Sequence, residues 1–236
     1  MLKAKYSMIY LPKLILASGS PRRAEILTSV GWEFVKDVAD IDETEREGET
    51  PENYVQRLAR EKAEAVAEKY EDAIVLGADT TVIIDDQIIG KPTDLADARR
   101  MLKMLSGRWH EVLTGVAIVR KVQSPKSKVQ SQSEIQSSKF EVQSSEKQNP
   151  KSKIQNPKSV VGLQRTRVKF GEMNDEEIEF LVEKGAPLDK AGAYAVQAQA
   201  ALFIEKIEGD YWNVVGLPVN LVFELVKNLD VKSEKV

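Results

Sequence analysis

Three features of this sequence put reactive side chains where packing alone does not ask for them. The first is Ser18-Gly-Ser20-Pro21-Arg22-Arg23, which follows the apolar run Leu14-Ile-Leu-Ala17. Ser20 is a residue type that caps helices, and Pro21 has its φ pre-set for a first turn. Gly31 is placed to end a helix over Arg22–Val30. A helix N-terminus offers unpaired backbone N–H groups and a partial positive charge. Two hydroxyls and two guanidinium groups at that same end suit a polyanion such as a phosphate chain. The ordinary alternative is a capped helix carrying two solvated arginines.

Lys62 is the second feature. After Pro51 the residues Tyr54, Val55, Leu58, Ala59, Ala65 and Val66 form one apolar arc at helical spacing. Lys62 falls inside it, four residues after Leu58 and four before Val66, whereas Arg57, Arg60, Glu61, Glu64 and Glu68 lie outside. An inward lysine must snorkel, pair with an acid or meet a bound anion. The third feature is Asp79, a carboxylate between Ala73-Ile-Val-Leu-Gly-Ala78 and Thr80-Thr-Val-Ile-Ile84, among residues typical of a strand. Gly77 leaves room for a turn-capping aspartate. An apolar setting, however, is what poises a carboxylate for metal binding or base catalysis.

The elements that must aim these residues alternate along the chain. A helix is expected from Thr50-Pro51 to about Tyr70, followed by a strand beginning at Ile74–Leu76. Thr81–Ile84 and Ile88–Ile89 flank the turn Asp85-Asp86-Gln87. Thr93-Asp94 opens a helix with Leu95, Ala98, Leu102 and Leu105 on one face and Gly107 as its stop. Asn174 caps a helix over Asp175–Lys184 that turns Ile178, Leu181 and Val182 inward. Leu202–Ile207 is a strand, and Pro218 opens a last helix running through Leu229. The pattern is α/β with a mixed sheet.

Composition removes whole classes of chemistry. The chain has no cysteine, so disulfides, Fe–S clusters and thiolate zinc sites are excluded. His110 is its one histidine, so a zinc site built from several histidines cannot form, and no Gly-x-Ser-x-Gly elbow accompanies it. A catalytic metal would be held by carboxylate and phosphate oxygens, which favours Mg²⁺ or Mn²⁺. Lys3 and Lys5 precede Met8-Ile-Tyr-Leu11, but Pro12 and Lys13 break that run short of a signal sequence. With no stretch near the ~20 apolar residues of a membrane span, a cytoplasmic location is expected.

The stretch Gln123–Lys158 is of different composition, rich in Gln, Ser, Lys, Asn and Pro, with Val129, Ile135, Phe140, Val142 and Ile154 as its apolar residues. It reads as a low-complexity insertion within a single domain spanning 1–236, at the tip of a strand pair, Val112–Val119 with Val160–Phe170. Its seven Lys against three Glu give it a surplus of four positive charges, so the remainder of a chain of net charge −3 carries −7. An acidic body argues against general nucleic-acid binding.

Ser18-Gly-Ser20-Pro21-Arg22-Arg23 resembles the N-terminal signature of the Maf (septum-formation) family of nucleoside triphosphate pyrophosphatases. Further matches follow in order: Leu58-Ala-Arg-Glu-Lys62-Ala63, Gly77-Ala-Asp79-Thr80, Gly90-Lys91-Pro92, Leu105-Ser-Gly107, His110 with Thr114-Gly115, Asp189-Lys-Ala-Gly-Ala-Tyr-Ala-Val-Gln197 and Val215-Gly-Leu-Pro218. The resemblance implies an elongated two-lobed fold, like that of inosine triphosphatases, with a nucleotide cleft between the lobes. It implies release of a nucleoside monophosphate and pyrophosphate, with a divalent metal as cofactor. Asp79 matches the catalytic acid, Glu43 in the acidic run Asp40–Glu45 a second carboxylate at the metal, and Lys62 and Lys91 phosphate-contacting lysines. Ser18, Ser20 and Arg23 would join them around the triphosphate. Arg22, Thr80 and Gln197 are similar to the subgroup acting on dTTP and UTP, and a glutamine amide can both donate to and accept from the thymine or uracil edge. The expected partner is the nucleotide, with a homodimer allowed and neither nucleic acid nor membrane involved. His110 is expected to lie outside the site. Two other readings remain open at this point: a housecleaning phosphatase for deaminated or modified purine triphosphates, and a nucleotide sensor that restrains division without turnover.

Overall fold

The computed structural model describes residues 11–121 and 158–231. Its strands are β1 (Leu14–Leu16), β2 (Phe34–Lys36), β3 (Ile74–Ile84), β4 (Gln87–Ile89), β5 (Trp109–Arg120), β6 (Lys158–Phe170) and β7 (Ile204–Glu208). The helices are α1 (Pro21–Ser29), α2 (Pro51–Ala67), α3 (Leu95–Leu105), α4 (Asp175–Lys184), α5 (Tyr211–Val215) and α6 (Val219–Val231). The strands form one seven-stranded sheet in the order β2-β1-β3-β5-β6-β7, with β4 added to β3. β1 pairs in parallel with β2 and β3, and the remaining ladders are antiparallel, so the mixed α/β sheet expected from the sequence is present.

Strand alternation divides the core. Leu14, Leu16, Leu76, Ala78, Val82, Val116 and Ile118 face the layer that includes α1, α3, α4 and α6. Ile15, Val75, Ala117 and Val119 face Ala59, Ala63 and Val66 of α2. Asp79 shares the α2 side with Val75, and Thr80 beside it points the other way. β1 leaves β3 after Leu16–Leu76, and β4 joins only at Val82. Between them β3 has no strand neighbour on that edge, and there the chain leaving β1 turns into α1. The gap is the opening in which the site forms.

Several boundaries differ from the sequence expectation. β3 runs unbroken through Gly77-Ala-Asp79, because β5 pairs it continuously and places Asp79 opposite Gly115. The β3–β4 turn uses Asp85 and Asp86 at φ of 51° and 60°, the left-handed pair that suits a two-residue hairpin. α2 ends at Ala67 rather than near Tyr70. Leu95 at the start of α3 is exposed, and Met101 fills the buried face instead. Leu202 is also exposed, in a 3₁₀ turn before β7. The Asn174 cap of α4 is present as a full capping box with Glu177. The β5–β6 pair extends to Arg120 opposite Lys158. Lys158 is therefore the first residue of β6, and the remainder of the expected insertion lies outside the described residues.

Glycine governs how close α2 comes to the sheet. A Cβ on Gly77 would lie 2.1 Å from the Ala59 carbonyl oxygen, and one on Gly115 would lie 2.2 Å from that of Val55. Both strands therefore present bare backbone to the helix, a role glycine alone can fill. Gly77→Ala should destabilise the protein by about 1–3 kcal/mol or more through overpacking, measured by urea unfolding. Gly90→Ala, where an added Cβ meets nothing within 4 Å, is the control and should be near neutral.

Candidate active site

The opening beside β3 is a cleft of about 550 Å³. One wall comes from the β1–α1 turn, α2 and β3, and the other from the 189–197 and 214–216 segments. Ser18, Ser20, Arg22, Arg23, Glu43, Lys62, Asp79, Thr80, Lys91 and Gln197 all line it. Four loops and three elements, α1, α2 and β3, thus bring to one place residues separated by up to 179 positions in sequence.

Lys62 projects from the apolar face of α2 into the sheet and is 8% exposed, as is Asp79. Its Nζ donates to Asp79 Oδ1 at 2.7 Å and lies 2.8 Å from Glu43 Oε1. The inward lysine has found acid partners rather than a snorkelling route. Burial pushes the Asp79 carboxyl above its ordinary range, against the pull of Lys62 and Arg23. Glu43 reaches the same point from an exposed loop without regular structure. Tyr54, on α2, closes this corner; burial, with the charges of Asp79 and Glu43, pushes its phenol up to about 12.

The two arginines of the α1 turn behave differently from one another. Arg23 is buried, with Nε donating to the Gly216 carbonyl at 2.9 Å, Nη1 to Ser18 Oγ at 2.9 Å and Nη2 to Thr80 Oγ1 at 3.1 Å. It is a strut joining the β1–α1 turn, β3 and the C-terminal end of α5. Thr80 Oγ1 also meets Thr114 Oγ1 at 2.9 Å, so that hydroxyl is engaged inside the protein. Arg22 spans the cleft mouth instead, its Nη1 3.1 Å from Asp189 Oδ2. The Ser20 side chain makes no cap bond to α1, and its backbone N–H donates to Ser18 Oγ. The first turn of α1 also contains no acid. This helix end therefore still faces the cleft with its own N–H groups. Lys91 and Gln197 are exposed on the cleft walls.

Sequence reasoning did not single out Asp189, Gly216, Arg57 or Glu49. Asp189 sits within a stretch that carried the resemblance. Gly216 does too, within Val215–Pro218, but it acts through its carbonyl, and Arg57 and Glu49 act through a loop-to-helix ion pair; neither leaves a pattern in a single sequence. His110 lies behind the cleft wall as expected, Nε2 2.7 Å from the hydroxyl of cleft-lining Tyr194 and the ring stacked on Phe170.

Burial pushes the His110 imidazole down to about 3 from an ordinary value near 6.5. The unfolded chain thus binds a proton that the folded chain refuses. This contribution to stability is complete above pH 6.5 and is lost as pH falls toward 3. His110→Phe leaves Tyr194 without its partner and lowers stability at pH 7. Between pH 7 and pH 5, however, the variant should lose about 2 kcal/mol less than wild type, measured by urea unfolding at each pH.

Comparison with known proteins shows what this chain is similar to. The family profile described as Maf-like protein matches residues 13–156 and 148–229. A dTTP/UTP pyrophosphatase of Symbiobacterium thermophilum is 41% identical over 216 residues, covering 92% of this chain and 93% of its own. The dTTP/UTP pyrophosphatase of Geotalea uraniireducens is 43% identical, covering 92% and 94%. That of Bacillus anthracis is 42% identical, covering 93% and 97%. Among solved structures, the Staphylococcus aureus Ham1 protein aligns over 92% of this chain and 99% of its own, with 13% identity and a TM-score of 0.45.

Proposed function

We propose, from the premise that this chain belongs to the Maf family, that it hydrolyses nucleoside triphosphates, dTTP and UTP foremost, to the monophosphate and pyrophosphate. The observation that carries this reading is the Lys62 ammonium held between Asp79 and Glu43 at the foot of a cleft. A cation and two carboxylates converge there beside a helix N-terminus suited to phosphates. A protein that merely binds a triphosphate needs the phosphate grips, but not a buried acid and a second carboxylate facing them.

The chemistry follows from placement. Ser18, Ser20 and the α1 N–H groups receive the triphosphate from one side, and Lys62 and Lys91 from the other. Water adds to the α-phosphorus, the bond from that phosphorus to the bridging oxygen breaks, and pyrophosphate departs with the bond electrons. Asp79, its affinity for a proton raised by burial, takes the proton that the water loses. Arg23 works indirectly by holding Ser18 and Thr80 in place.

Asp79 and Glu43 are hard oxygen donors already within reach of a single cation, which fits Mg²⁺ or Mn²⁺. No cluster of three or more His, Cys, Asp or Glu side chains stands ready for a metal among the described residues. Asp79 and Glu43 are therefore the side chains that would hold such an ion, with the substrate supplying further oxygen donors. When bound it supplies charge neutralisation of the phosphoryl oxygens. At the base end, Gln197 and Arg22 face the cleft, the latter oriented by Asp189. The acidic body disfavours nucleic acid as a partner, and among the described residues no helix is long and apolar enough to cross a membrane.

Pyrophosphate release from a panel of triphosphates with Mg²⁺ or Mn²⁺ tests the proposal. dTTP and UTP should be cleaved well ahead of dATP, dGTP and 7-methyl-GTP, and Gln197→Glu should erode that order. Asp79→Asn should cut turnover by about 10²–10⁴-fold while the protein still folds. Tight binding with no turnover would instead establish a sensor, and a flat profile would remove the base assignment while leaving the hydrolase.

A further inference from the structure

Glu43 has to stand against Lys62 from a stretch, residues 37–50, that has no helix or strand and is largely exposed. Something other than secondary structure must fix it. Along α2, Tyr54, Arg57 and Glu61 stand at i, i+3 and i+7, a single stripe beside the face that carries Lys62. The Tyr54 hydroxyl donates to the Glu43 carbonyl at 3.0 Å. Arg57 Nη2 donates to the Thr44 carbonyl at 3.1 Å. The Arg57 fork also closes on Glu49, Nε to Oε1 at 2.6 Å and Nη2 to Oε2 at 2.7 Å.

This pair is unlike the surface ion pairs elsewhere on the molecule. The Arg57 and Glu49 side chains are 12% and 10% exposed, and the contact is bidentate. Glu61 supports it from below, 3.2 Å from Arg57 Nη1, and also takes Arg46 of the loop at 2.9 Å. Hydrogen bonding to Arg57 holds the Glu49 carboxyl below the ordinary carboxylate range. The loop is thus fastened to α2 at both ends, at Glu43–Thr44 and at Glu49.

We infer that Arg57, through Glu49 and the Thr44 carbonyl, is a positioning residue that sets the Glu43 carboxylate against Lys62. The inference rests on the reading of Glu43 as part of the hydrolytic site. Arg57 touches neither Lys62 nor Asp79 and is not a catalytic residue. It gives an exposed acid the fixed position that Asp79 obtains from its strand, because the clip ties the acid to the same helix that carries the lysine. A displacement of about 1 Å in such a group costs about 10²-fold in rate.

Hydrogen exchange of the 43–49 amides in the full chain reads the clip directly. Arg57→Gln, and separately Glu49→Gln, should exchange this stretch about tenfold faster or more, with β3 and β5 protected as in wild type. Glu49→Gln leaves α2 untouched and serves on its own if Arg57→Gln does not fold. Turnover of dTTP should fall by about 10²-fold with a smaller change in KM. Adding Arg57→Gln to Glu43→Gln should slow the enzyme no further. Arg57→Lys, which keeps the charge and loses the fork, should restore only part of the rate. Unchanged exchange in both variants would overturn the clip, and losses that multiply in the double variant would overturn its action through Glu43. A Glu43→Gln protein running at the wild-type rate would remove Glu43 from the hydrolytic site, and the exchange result would then decide the clip alone.

Discussion

An ammonium group carried on the apolar face of a helix has to be neutralised where the helix sets it down. Lys62 meets that condition with two acids, one from the centre of a strand and one from a loop, and the architecture around it follows. α2 must lie close enough for the lysine to reach Asp79, which requires the bare backbone at Gly77 and Gly115. β3 must run straight through Asp79, which its continuous pairing with β5 ensures. β1 must end early to leave the edge of β3 open for a ligand. Were either glycine to carry a side chain, the helix would have to move outward, and a buried acid would lose the cation that balances it.

The same economy of position governs the arginines. A cleft for triphosphate would be expected to aim every cation at the phosphates. Yet Arg23 is turned inward and Arg22 is drawn across the mouth to Asp189. Guanidinium groups suit this work, because a planar fork can join two or three carbonyls and hydroxyls at once. Lysines, as point charges on flexible stems, are left facing the cavity at Lys62 and Lys91. The division makes the arginines the frame of the site and leaves the lysines to meet its anions, Lys62 from a buried position and Lys91 from an exposed one.

How much of this was legible in the sequence depended on whether a residue broke a local pattern. Lys62 interrupts a helical apolar arc and Asp79 an apolar strand, so each declared itself as misplaced, and both are buried in the site. The caps of α3 and α4 were readable because Asp94 and Asn174 precede periodic apolar positions. The unbroken course of β3 was not, since Gly77 reads locally as a turn and only its pairing with β5 keeps it extended. Leu95 falls on the apolar face of its helix by spacing and Leu202 at the head of a run that reads as a strand, yet tertiary packing leaves both exposed and β7 begins at Ile204. Arg57 and Glu49 were invisible for a different reason. They are charged residues on a face that local rules assign to solvent, and their importance exists only once the loop has folded back on the helix.

That contrast explains why the site contains two acids of such different standing. Asp79 is rigid because a sheet holds it, and burial raises its affinity for a proton. Glu43 is exposed, and its position depends on side-chain contacts that water can compete for. A strand-borne acid suits proton transfer, where geometry must be constant through the reaction. A loop-borne acid has no ladder to hold it, so its position rests on the groups of α2 that grip the loop: the Tyr54 hydroxyl on the Glu43 carbonyl, Arg57 on the Thr44 carbonyl, and the Arg57–Glu49 fork. The helix that carries the lysine thereby also carries the groups that place its second acid, so the two stay in register even though one of them lies in a loop.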